Sequence, residues 1–389
     1  EMQRSLVGSE MCIRDRLAAV FSGFAATSNR YVDAHGTVST GMLATRKLVE
    51  NKNGYAGALT EAELTKIVVQ YKAVMAQSQE EQDANYGTLY QPIDDILNFM
   101  ISVLTPDAGY DETVLDSVTE DSVQDFYTWY RGNMKWMADQ YGKTPEQKDY
   151  LEKKYSEIIL PFQYESYGAW DTMIMYAETY SIVLAILVGF ICAGIFADDF
   201  QTKADAVFFA SKYGRSKAIK NKILAGVVAT TMIYWTGIVL LSAISFGIMG
   251  TSGMHTPYQM SEAYSIYIMT YGQYYALTVA CGYIASLLAA SLAMLVAAKM
   301  HTISVAVCIP FFLYCLLPFI GRVLSSYTKV FNLIPTILTN VEASVRVPLL
   351  YQIGTHVIRQ VPLVMVMYTV LSIVLLPLIY RSFRRYGRA

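Results

Sequence analysis

Charge is scarce in this sequence. Only 16% of its 389 residues are Asp, Glu, Lys or Arg while 54% are hydrophobic, and the mean hydropathy is positive, which excludes an ordinary soluble protein of this size and points to a polytopic membrane protein. Cysteine is missing from residues 29–170, so that segment uses no disulfide; Cys192, Cys281, Cys308 and Cys315 lie in apolar runs and Cys12 near the start. The four histidines, His35, His255, His301 and His356, fall in different loops and ends, too scattered to build a ligating or nucleophilic constellation. A phosphate-cradling loop is lacking as well. Gly142-Lys143-Thr144 would need a glycine five positions before Gly142, where Met137 stands, so no metal, nucleotide or other cofactor is expected on this chain. The net charge of −2 sums over segregated blocks, with acids concentrated between residues 50 and 171 and bases in a short elbow and in the tail. Nothing in that pattern suggests a nucleic-acid partner.

What the sequence does have is long apolar runs. Complete spans are expected at about 173–195, 223–249, 276–298, 302–320 and 361–380, against the roughly 20 residues a helix needs to cross a bilayer. Residues 1–16, EMQRSLVGSEMCIRDR, lack periodicity, resemble translated read-through of a sequencing adapter, and are set aside as a leader. Residues 17–28 then read as part of a first span, with a signal peptide over Arg14 to Ala26 as the alternative. The partial span makes six crossings, which places the elbow and the basic tail RSFRRYGR on the same, cytoplasmic side. Pro310 and Pro318 should bend the fifth span. Between it and the last, VFNLIPTILTNV and VPLLYQIGTHVI are too short to cross and are expected to form re-entrant or interfacial helices. The expected fold is all-α.

Residues 196–222, FADDFQTKADAVFFASKYGRSKAIKNK, form the elbow between two spans. Lys203, Lys212, Arg215, Lys217, Lys220 and Lys222 put it in the cytoplasm. Thr202 or Asp205 could cap a short helix through Ala206 to Ala210, and Gly214 could supply a left-handed stop. The order of Asp199, Asp205, the apolar pair Phe208 and Phe209, then Ser211-Lys212-Tyr213-Gly214-Arg215 and a final Lys222 resembles the ABC-2 family of permeases, the membrane subunits of bacterial ATP-driven exporters. Asp199 stands where Glu is common in that family, and Lys203 and Tyr213 stand where many members have Gly and Pro. The resemblance implies a coupling helix that docks in a separate cytoplasmic ATPase subunit, a second permease subunit as homo- or heterodimer partner, and a place in the bacterial plasma membrane. It further implies that Phe208 and Phe209 anchor the docked helix, with Asp199, Asp205, Lys212 and Arg215 setting register, and that ATP is bound only by the partner. The same elbow could instead rest on anionic lipid.

Residues 29–170 are polar and helix-patterned, and a large helical extracytoplasmic domain between spans one and two is the result. Thr60-Glu61-Ala62-Glu63 is a capping box for a helix with Leu64, Ile67, Val68, Tyr71 and Val74 on one stripe. Further helices are expected over Pro92 to Leu104, Ser117 to Tyr141, and from Thr144-Pro145 to about Ile159. Asp94 and Asp95, adjacent and therefore on different faces, are expected to be solvated. Glu178 lies about a turn and a half into the second span, close enough to the outer interface to reach water. Ala285, Ala289, Ala293 and Ala297 recur every four residues, a face for close helix packing within the protomer or across a dimer. Spans three to six carry no Asp, Glu, Lys, Arg or His, and so offer no group to carry protons or sodium at mid-membrane, which argues against a secondary transporter. A membrane sensor built like an exporter is the serious alternative function, given the size of the outer domain.

Overall fold

The computed structural model describes residues 29–106, 111, 113–318 and 332–386. The leader and the partial first span fall outside these residues. The chain divides into two compact units, one made of residues up to Gln140 with Leu151–Tyr176 and Ser242–Tyr274, the other of Tyr141–Tyr150, Ala177–Leu241 and Tyr275 onward.

The first unit opens with a hairpin of β1 (Tyr31–Val32) and β2 (Val38–Ser39), followed by α1 (Met42–Lys52), β3 (Gly57–Ala58) and α2 (Glu61–Met75). Thr60 starts α2 as expected, its hydroxyl accepting from the Glu63 amide at 3.3 Å, and the stripe Leu64, Ile67, Val68, Tyr71 and Val74 is buried. A short helix over Gln79–Asn85 leads to α3 (Asp94–Leu104), which is buried on almost every side and carries the centre of this core. There Phe99 meets Phe126, Tyr130 and Phe162 edge-on, with centroids 5.4–6.0 Å apart.

The helix expected from Ser117 begins later, as α4 (Phe126–Tyr141), because Thr119 caps a separate turn over Glu120–Val123 by accepting from the Ser122 amide at 3.2 Å. Next comes α5 (Pro145–Ser156), then β4 (Gln163–Tyr164), which pairs antiparallel with β3. The loop after Met249 belongs to the same core. Tyr130 Oη donates to the Ala263 carbonyl at 2.5 Å, Tyr155 Oη to Tyr264 at 3.0 Å, and Tyr264 Oη to Val103 at 2.7 Å. Buried phenols thereby satisfy the loop carbonyls of Ala263 and Tyr264 and the last-turn carbonyl of Val103 in α3.

The second unit is built from long apolar helices. These are α6 (Gly168–Gln201), a short α7 (Asp205–Ala210), α8 (Ile219–Met249), α9 (Tyr271–Met300), α10 (Ile303–Phe311) and α11 (Gln360–Arg384), with α6, α8 and α9 also lending residues to the first unit. Among the described residues, four helices are long and apolar enough to cross a membrane: Gly168–Gln201, Gly214–Met249, Tyr271–Met300 and Gln360–Arg384. Of the six expected, the partial first lies outside the described residues. The fifth expected span is the shorter α10, continued by a π-turn at Phe312–Leu316 and carrying Pro310 in its interior. Pro310 lies over Gly189 so closely that a Cβ there would stand 2.5 Å from its Cγ.

Two local corrections concern the stretch before α11. VPLLYQIGTHVI forms no helix; it is a hairpin of β5 (Leu350–Ile353) and β6 (His356–Arg359), closed by a two-residue turn with Gly354 at φ +61°. Glycine at the first central position, flanked by β-branched and aromatic residues, outweighs apolar content here. With the two other two-stranded sheets, the fold is mostly helical and not all-α. Glu178 is also engaged within the chain. Its Oε1 accepts from the amides of Val341 at 2.7 Å and Glu342 at 3.1 Å, capping the short helix Glu342–Arg346.

The alanine face is packed within the chain, since Ala285, Ala289, Ala293 and Ala297 are each fully buried. One helical turn earlier, Gly282 serves the same end. A Cβ at that position would overlap Ser181 Oγ and lie 2.6 Å from Tyr234 Oη, so α6, α8 and α9 approach there on the strength of a missing side chain. Gly282→Val is expected to destabilise the protein by about 1–3 kcal/mol, read as a lower melting temperature in lipid nanodiscs.

Candidate functional site

The elbow begins as an extension of α6, which runs on to Gln201 without a break. Thr202 cannot cap the next helix because its hydroxyl donates to the Asp198 carbonyl at 2.7 Å. Lys203 then turns the chain with φ +58°, and Ala204, not Thr202 or Asp205, precedes α7. The left-handed residue of the elbow is thus Lys203. Gly214 has a different use: a Cβ on it would overlap the Phe208 carbonyl oxygen and come within 2.7 Å of Ser211 Oγ, so only glycine lets the end of α7 fold onto the π-turn Gly214–Ala218. Ser211 closes the same turn, its hydroxyl donating to Phe208 O at 2.8 Å.

Two anchors fix the elbow. Asp199 and Lys222 pair at 2.9 Å across its base, each side chain 20% exposed, and Lys222 also donates to the Ile195 carbonyl at 2.5 Å and lies 5.3 Å from the Phe208 ring. The base thereby joins the end of one span to the start of the next through a charge-assisted bond. The second anchor is aromatic. Phe209 is 9% exposed, with its centroid 5.2 Å from Phe383 and 5.3 Å from Tyr386 of the tail. Phe383 also meets Phe196, Phe200 and Phe208. Arg215 covers the outer face of Phe209 at 4.8 Å and donates to the Arg384 and Tyr386 carbonyls at 3.1 and 2.7 Å. Tyr386 Oη reaches Asp205 at 3.4 Å.

His301 completes this cluster from the turn after α9, 4.0 Å from Phe200 and 4.7 Å from Tyr386. Burial holds its imidazole below the usual histidine range, against the opposing pull of Asp205. It is consequently neutral at neutral pH.

The expected site residues therefore separate into two groups. Asp199, Phe208, Phe209, Gly214, Arg215 and Lys222 hold the elbow to its own chain, and Asp205 faces the tail. Turned outward are Val207, 76% exposed, and Tyr213, 51% exposed with Lys212 and Lys217 at 5.6 and 4.9 Å from its ring, along with exposed Lys203 and Lys220. Between α7 and the tail lies an open cleft of about 290 Å³ lined by Asp205, Ala206, Phe209, Ala210, Arg215 and Tyr386. The tail's share was missed from sequence. RSFRRYGR reads as basic, while its spaced Phe383 and Tyr386 were the only sign of an apolar side.

Chemically, the arrangement offers a basic, partly apolar knob. Among the described residues no group of three His, Cys, Asp or Glu side chains could hold a metal ion. The chain matches no family model, no curated protein and no solved structure. Removing the aromatic anchor tests the geometry: Phe383→Ala is expected to cost about 3–5 kcal/mol and to speed amide hydrogen exchange across residues 205–218 while leaving α9 protected.

Proposed function

We propose that this chain is the membrane permease subunit of a bacterial ATP-driven exporter of the ABC-2 type. The elbow is its coupling helix, docked in a separate cytoplasmic ATPase subunit, and a second permease subunit completes the pathway across the plasma membrane. ATP is bound and hydrolysed by the partner; the chain itself catalyses nothing. Closure of the ATPase pair pushes the elbow, and the spans move with it as rigid bodies.

The observation that carries this reading is the folding of the elbow onto its own chain. A short helix between two apolar helices is pinned at both ends, by Asp199 with Lys222 and by Phe209 with Phe383, so force applied to it is passed on and not absorbed by a loose loop. Lys203 adds support, because its left-handed backbone is what the family's frequent glycine at that place supplies freely. The buried state of Phe209 changes one detail of the resemblance. It cannot anchor a partner while it fills its own core, and the docking contacts fall to Val207, Tyr213 and the surrounding lysines.

A sensory subunit of the same architecture is the second reading, favoured by the substantial separate core around Phe99 in the first unit. Copurification from native membranes separates the two. The wild type is expected to retain an ATPase subunit, and Val207→Asp combined with Tyr213→Asp to lose at least about tenfold of it, some 1.4 kcal/mol, with unchanged melting temperature. Undiminished retention by the double variant contradicts docking through this face, and recovery of no ATPase at all favours the sensor.

A further inference from the structure

The first unit contains a charge cluster that the exporter reading does not use. Lys52, the last residue of α1, is buried, and its Nζ contacts Asp94 Oδ1 and, at 2.6 Å, Asp95 Oδ1 at the start of α3. The side chains of Lys52, Asp94 and Asp95 are only 8%, 23% and 12% exposed. From β4, Tyr164 Oη donates to Asp95 Oδ2 at 3.0 Å. The expectation that both acids are solvated fails because Lys52, far off in sequence, is long enough to meet them on either side of the helix start.

One ammonium cannot balance two carboxylates. With every group in its ordinary state the site holds an excess negative charge in a place poorly reached by water, and such charge is relieved most readily by a proton. Asp95 is committed, since it receives both Lys52 and Tyr164; Asp94 receives the ammonium and stands against the Asp95 carboxylate. Burial accordingly pushes the Asp94 carboxyl up to about 6, with Lys52 pulling it down and Asp95 adding to the rise. The other groups facing the pair are Tyr164 and Tyr167, both held neutral by burial first and by Asp95 second.

The neighbour of this cluster gives it a consequence. Asn53, directly after Lys52, accepts from the Ser166 amide at 2.8 Å through Oδ1 and donates to Ser252 Oγ at 2.8 Å through Nδ2. Ser166 lies two positions before α6, and Ser252 shortly follows α8. We propose that Lys52, Asp94 and Asp95 form a proton-operated switch: a proton taken up on Asp94 leaves a balanced Lys52–Asp95 pair and tightens the joint by which Asn53 holds the ends of α6 and α8 in this unit. The sign follows from linkage. The folded state binds the proton more tightly than the unfolded chain, so stability from this site is complete below the ordinary carboxylate range and is lost as pH rises through about 6.

The inference does not rest on the exporter reading. Its test uses the full chain in nanodiscs, with infrared difference spectra and melting temperatures recorded between about pH 7.5 and about pH 5. The wild type is expected to show a carboxyl protonating near pH 6 and to melt higher on the acid side. Asp94→Asn is expected to lose that band and to melt independently of pH over the window. Lys52→Met, which removes the ammonium between the two acids, is expected to raise the midpoint by at least about one pH unit, a tenfold gain in proton affinity. A wild-type spectrum with no carboxyl titrating above about pH 5 overturns the proposal without need of any variant, as does a band that survives Asp94→Asn.

Discussion

The burial of Phe209 against Phe383 is the contact on which the elbow depends. α7 has six residues, too few to hold a helix in water by themselves, and its capping position is an alanine with no side-chain bond. Burying a phenylalanine contributes about 3 kcal/mol, and Phe209 makes that contribution only if the tail supplies Phe383 and Tyr386. The tail, in turn, is held by the Arg215 guanidinium, which closes over the Phe209 ring and satisfies the carbonyls of Arg384, the last residue of α11, and of Tyr386 beyond it. Elbow and tail are thus one folding unit made from distant parts of the chain.

That arrangement divides labour among residues that look alike in sequence. Phe209 is buried, yet Val207 two positions before it and Tyr213 four after it are exposed. The lysines follow the same division, Lys222 being bonded at the base and Lys212 and Lys217 flanking an exposed ring. Further from the elbow, small residues do comparable work. Gly282, Gly189 and the buried alanines of α9 let apolar helices approach where no hydrophobic force would draw them together in lipid.

Much of the fold was legible because it follows from local chemistry. The Thr60 cap and the Leu64 to Val74 stripe set α2, and uninterrupted apolar length located four of the long helices. What could not be read depends on partners remote in sequence or on short runs that fit two periods. Asp94 and Asp95 meet Lys52 from another helix, Glu178 caps a helix far along the chain, and Phe383 hides its apolar face among arginines. In LYQIGTHVIR a helical and a strand reading compete, and the glycine turn decides between them. At the elbow the directions of the side chains were not legible in the sequence, since burial of Phe209 is a property of the tail as much as of the helix.

The central claim is that the elbow is a pinned knob on the cytoplasmic face. Its most direct test is a single cysteine at Val207 in a background with the native cysteines removed, challenged with a membrane-impermeant maleimide. The account expects no labelling in intact cells and rapid labelling once the membrane is opened; labelling of intact cells would contradict it.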